Sequence, residues 1–115
     1  MARSHKPIVW SLFAAGGTVA AFITPVMIFV SGLALALGVL PVEALAYERM
    51  VALLDNPLGK GIAFLVVFLP VWHAAHRLRI TAHDFGIRAD GLVMAVCYGL
   101  ASVATVLTVF ALFKI

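Results

Sequence analysis

The feature that most constrains this chain is a long stretch without formal charge: residues 7–42 hold no Asp, Glu, Lys or Arg. Two further stretches share the property, 61–76 and 91–113. A helix crosses the hydrocarbon core of a bilayer, about 30 Å thick, with roughly 20 residues. Backbone polar groups that face lipid must be bonded within their own segment, and three runs are too few to close a barrel, so each is expected to be a helix. Composition agrees. With 64% hydrophobic and 11% charged residues and a mean hydropathy of +1.14, a 115-residue chain lacks the polar surface of a soluble domain. The expectation is an all-α membrane protein, a single transmembrane anchor domain over 1–115. Its helices fall at about 9–40, 59–77 and 91–113, with a short interfacial helix in the 41–58 connector.

The first run has a basic start and small residues at Ala34-Leu35-Ala36, as a signal peptide would. A signal's apolar region is only about 7–15 residues long, so the segment reads as a retained span. At 1.5 Å per residue, about 30 helical residues would measure about 45 Å, too long for a straight crossing. Pro25 lies inside it and is read as a site of packing and tilt. Gly16-Gly17 permits close approach of another backbone or of a ligand. In the connector, Leu45, Met50, Val51, Leu53 and Leu54 suggest the interfacial helix, with Tyr47 at headgroup depth and Asn56-Pro57 ending it. The third run alternates Ala95, Gly99, Ser102 and Thr105 with bulky residues, a pattern suited to close helix packing.

Orientation follows from the placement of Lys and Arg. One side carries Arg3, Lys6, Arg77, Arg79 and Arg88; the other carries Arg49, Lys60 and Lys114. Five against three puts the N-terminus in the cytoplasm and the C-terminus in the periplasm. The net charge of +3 then reads as topology, with no nucleic acid as partner. The lone Cys97 lies in the third run and reads as packing.

No cysteine cluster, phosphate-binding glycine loop or nucleophilic triad is present, so no catalytic residue and no metal site is assigned to this chain alone. What remains is VWHAAHRLRITAHDF, residues 71–85. With the N-terminus inside, the first helix starts where the second ends, so Trp10 and His76-Arg77 come to similar depth. His73 lies one turn deeper on the same side as His76. Oxidation of a quinol needs hydrogen-bond donors at the headgroup oxygens, a proton site that titrates near neutrality, and a cation; Trp10, His76 and Arg77 supply these. Each also has a plainer explanation: Trp10 as interfacial anchor, the arginines as positive-inside flank. His73 is open to two readings, a haem or quinone contact or a histidine bonded to a neighbouring helix. Gly17 is a further candidate for close approach to a ligand.

The order VWSLFAAGG, TPVMIFVSGL, ALAYERM and FLPVWHAAHRL with a following AHDF resembles the D subunit of bacterial quinol:fumarate reductase, over nearly the whole chain. The resemblance implies an inner-membrane, multi-pass anchor in electron transport for anaerobic respiration. It implies as partners a second hydrophobic anchor (the C subunit), an iron–sulfur protein and a flavoprotein, with membrane lipid around them. FAD and iron–sulfur clusters would reside only in those partners. A menaquinone site would be shared, Trp10, His76 and Arg77 matching the family's pocket contacts, and no haem is expected. Two departures stand out. Asp55-Asn56 replaces a Gln-Ser associated with a distal quinone, and His73 replaces a cysteine, so it inherits no role. The runner-up is the haem b and ubiquinone-binding anchor of succinate dehydrogenase, in which a haem histidine precedes an Asp-Tyr pair by eleven residues. His73 and Asp84 keep that spacing, but residue 85 is Phe. A purely structural anchor is the third reading.

Overall fold

The computed structural model describes residues 4–115; Arg3, counted above in the cytoplasmic flank, lies outside the described residues. Four α-helices follow in order: α1 (Lys6–Ile28), α2 (Tyr47–Leu54), α3 (Pro57–Asp84) and α4 (Asp90–Lys114). A π-helical stretch, Phe29–Ala34, continues α1, and a 3-10 turn, Val42–Leu45, precedes α2. No strand occurs among the described residues. Three segments are long and apolar enough to cross a membrane: Lys6–Ala34, Pro57–Asp84 and Asp90–Lys114.

The boundaries depart from the sequence expectation at two places. The first span was expected to reach residue 40 and stops at Ala34. Gly38 adopts φ 71°, a conformation that glycine takes without a Cβ penalty, and the Leu40 N–H bonds back to the Ala34 carbonyl at 3.0 Å. The second span was expected to end near 77, yet α3 continues to Asp84. Charged residues mark the edge of the hydrocarbon and do not stop a helix. The stop is Gly86 at φ 84°: its N–H bonds to the His83 carbonyl and the Ile87 N–H to the Ala82 carbonyl, both at 3.0 Å. This pair of bonds is a Schellman closure. At the other end of α3, Asn56 accepts the Gly59 N–H at 2.7 Å and Pro57 occupies the first turn, so the interfacial α2 ends where the connector was expected to break.

Helix α3 is the centre of the bundle. It packs antiparallel to α1 on one flank and to α4 on the other, while α1 and α4 form no substantial contact of their own. The start of α1, the end of α3 and the start of α4 therefore share one end. Gly16, Ala75 and Ala101 are buried within the three packed spans, and small side chains are what let helix backbones approach closely in lipid. Large apolar side chains point outward, Phe22 at 72% and Phe113 at 84% exposure. A surface of this kind is solvated by acyl chains or by partner helices, consistent with a membrane-embedded protein. Hydroxyls on the spans are bonded inside their own helix: Ser11 donates to the Pro7 carbonyl, Thr18 to Ala14, Ser102 to Tyr98 and Thr108 to Ala104.

Candidate functional site

The α1–α3 seam is set by two glycines and one histidine. Gly16 lies against the Leu69 carbonyl, and a Cβ added there would fall 2.8 Å from the His73 Cβ. Gly17 faces the His73 ring, whose Cε1 would sit 2.7 Å from such a Cβ. Because the backbone leaves this space, the imidazole lies across α1, stacks on Phe13 at 4.3 Å and donates its Nδ1–H to the Phe13 carbonyl at 2.9 Å. A carbonyl only accepts, so the bond fixes the proton on Nδ1. His73 is thus bonded through Nδ1 to the neighbouring helix, with Gly17 as its seat.

The α3–α4 seam is polar at the same end. The Trp72 indole N–H donates to the Thr105 hydroxyl at 3.0 Å, and Thr105 passes its own hydrogen to the Ala101 carbonyl at 2.8 Å. Tyr98 stacks on Trp72 with centroids 5.9 Å apart, and its hydroxyl meets His76 Nδ1 at 2.9 Å. Arg79 lies 5.8 Å from the centre of the Tyr98 ring. Its guanidinium donates to both oxygens of Asp90, Nε at 2.9 Å and Nη2 at 2.7 Å, joining the end of α3 to the first residue of α4. Such a fork has fixed geometry as well as charge.

Between these seams lies a partly open cavity of about 510 Å³. Its walls are Val9, Trp10, Leu12 and Phe13 of α1, Phe68, Leu69, Trp72, His73 and His76 of α3, and Tyr98 of α4. In its α1 wall Phe13 is edge-on to Trp10 at 5.4 Å and to His76 at 5.0 Å. Mostly apolar walls with a few convergent polar atoms are what a small-molecule site of about 300–1,000 Å³ presents. Trp10, His73 and His76 are thus brought together, while Gly17 stands behind His73. Arg77 does not line the cavity: it is exposed, one turn past His73 on the α1-facing row of α3. His83 is exposed near the end of α3 and also lies outside the lining.

Tyr98 is the polar lining residue that the sequence reading did not select. The match in depth is visible only with the observed helix ends. Tyr98 lies eight residues into α4 and His76 eight residues before the end of α3, so antiparallel packing puts both about 12 Å from the same end.

The family model of the fumarate reductase D subunit matches residues 1–113. Among curated relatives, the fumarate reductase D subunit of Vibrio cholerae serotype O1 is 39% identical over 113 residues, covering 98% of this chain and 87% of the relative. That of Vibrio vulnificus is 37% identical, covering 98% and 90%. A Shewanella D subunit is 38% identical over 105 residues, covering 91% and 87%. On this match along nearly its whole length, the chain belongs to the fumarate reductase D-subunit family.

Proposed function

We propose that this chain anchors the flavoprotein and iron–sulfur subunits of a fumarate reductase to the bacterial inner membrane and forms part of its menaquinol site. As a D subunit it belongs with other fumarate reductase subunits. The finer assignment is carried by one observation: the cavity that joins Trp10 and His76 at one end of the bundle. The five-to-three excess of Lys and Arg at that end supports a cytoplasmic location, beside partners that receive the electrons.

The donor set fits a naphthoquinol. Flat aromatic side chains, Trp10, Phe13 and Trp72, offer apolar faces to a fused ring, and His76 offers a polar atom at the rim of the cavity. When bound, menaquinol supplies two electrons and two protons. Trp10 excludes water from one wall and carries an indole N–H. Tyr98 occupies Nδ1 of His76, so the nitrogen that His76 offers to a headgroup oxygen is Nε2, where it takes up a proton. Arg77, exposed and next to His76 in the chain, adds positive charge at this end of the bundle. His73 keeps α1 against α3 and is not a haem ligand in this reading, because its ring is packed between Phe13 and Gly17.

The test is His76→Gln in the assembled complex. Quinol oxidation is assayed beside fumarate reduction driven by an artificial donor that bypasses the membrane anchors. Loss of the first with retention of the second supports the quinol site. Loss of both makes His76 an assembly residue, and retention of both leaves a purely structural anchor. A b-type absorption band traceable to His73 would replace this reading with the haem-bearing alternative.

A further inference from the structure

The α4 wall of the cavity suggests how His76 is controlled. A neutral imidazole has one protonated and one bare nitrogen, and an interior polar atom without a partner is costly. His76 Nδ1 faces one hydroxyl, Tyr98, at 2.9 Å. A hydroxyl both donates and accepts, so it can complement Nδ1 in either state. When Tyr98 donates to bare Nδ1, Nε2 carries hydrogen and suits a quinone carbonyl. When Tyr98 accepts from Nδ1–H, Nε2 is bare and suits the hydroxyl hydrogen of a quinol. Phenylalanine at 98 could serve neither.

Tyr98 is also held in place. Its ring is stacked on Trp72, itself tied to Thr105, and the Arg79 guanidinium, forked onto Asp90, flanks the ring. On the α1 side His76 meets the ring of Phe13 edge-on, an apolar contact that offers its nitrogens no partner.

We propose that Tyr98 is the positioning residue of the quinol site, its hydroxyl fixing the orientation of His76 and complementing Nδ1 whichever hydrogen-bonding face Nε2 presents to the headgroup. The assignment rests on the quinol reading above and adds to it a required group on the third spanning helix.

The experiment uses Tyr98→Phe, His76→Gln and the double variant in the whole complex, with quinol oxidation normalised to artificial-donor fumarate reduction. A solid-state ¹⁵N spectrum of ring-labelled histidine, with the His76 signals assigned by their loss in His76→Gln, gives a readout apart from turnover. For Tyr98→Phe we expect kcat to fall about tenfold, the scale of one hydrogen bond to a charged group, with a much smaller change in KM. The His76 Nδ1 signal should move, and Tyr98→Phe should cost nothing further in the His76→Gln background. Should Tyr98→Phe assemble poorly, 3-fluorotyrosine at position 98, nearly the same shape with a more acidic hydroxyl, should move the same signal. An unmoved Nδ1 signal, or a double variant with fully additive losses, overturns the positioning role. If His76→Gln impairs quinol oxidation and Tyr98→Phe does not, this inference fails while the quinol reading stands. If neither variant impairs it, the quinol reading fails and takes this one with it.

Discussion

Gly16→Ala puts the packing account at most risk. The added Cβ would lie 2.8 Å from the His73 Cβ and 3.0 Å from the Leu69 carbonyl carbon, with the Leu69 oxygen nearer still. Carbon atoms in good contact sit about 3.5–4.0 Å apart, so α1 and α3 must separate by about 1 Å. Most of the obstruction is backbone, which cannot rotate away. Overpacking of this kind costs about 1–3 kcal/mol, and loosening the His73 bond to the Phe13 carbonyl adds about 0.6 kcal/mol. Alanine's better helix propensity returns about 1 kcal/mol. The clash wins, by about 0.5–2.5 kcal/mol. Gly61→Ala is the control, since beyond its own turn of helix nothing described in this chain lies within 4 Å of a Cβ there, and the favourable helix term is not opposed by the α1–α3 seam. The assay is thermal inactivation of the detergent-solubilised complex, followed through artificial-donor fumarate reduction and retention of the membrane anchors. Gly16→Ala should lose its anchor at a lower temperature than the parent, and Gly61→Ala should not. Equal stability of the two variants would refute the claim that the α1–α3 seam is closed by a glycine notch.

Other seams give smaller, separable effects. Arg79→Gln or Asp90→Asn should loosen the turn between α3 and α4, read as faster proteolysis at 85–89, and the charge swap Arg79→Asp with Asp90→Arg should restore much of the protection. Because both side chains are partly exposed, that protection should weaken in high salt. Trp72→Phe keeps a ring against Tyr98 but removes the bond to Thr105, so the complex should lose about 0.6 kcal/mol of thermal stability. A larger loss would mean that the indole N–H does more than join α3 to α4.

The three spans were legible because the bilayer excludes charge, and the charge-free runs mark where it does so. Their ends were less legible, because hydrocarbon edge and helix end are separate physical events. His76 to Asp84 is helical although it is charged, and Gly86 rather than Arg77 stops the helix. Likewise Gly38, not the end of the apolar run, shortens the first span. Antiparallel connection by itself placed Trp10 and His76 at one depth. It did not tell which arginine turns inward: Arg79 is committed to Asp90 while Arg77 remains exposed. Tyr98 went unselected because one tyrosine in an apolar helix carries no periodic signal; its partner, His76, becomes visible only once the rotation of α4 is known. For His73 the sequence left two readings; the notch at Gly17, three turns from the start of α1, gives its ring room to lie across the helix and bond the Phe13 carbonyl, a contact that only the rotation of α3 against α1 reveals.

The central claim is that a quinone headgroup sits at the end of the bundle where α1 begins, α3 ends and α4 begins. A photoactivatable naphthoquinone, incubated with the whole complex, illuminated and mapped by peptide mass spectrometry, addresses it directly. The account predicts labelling of this chain near Trp10, His76 or Tyr98, competed away by menaquinol analogues. Labelling confined to the opposite end, around Lys60 and Phe113, or to the partner proteins alone, would contradict it.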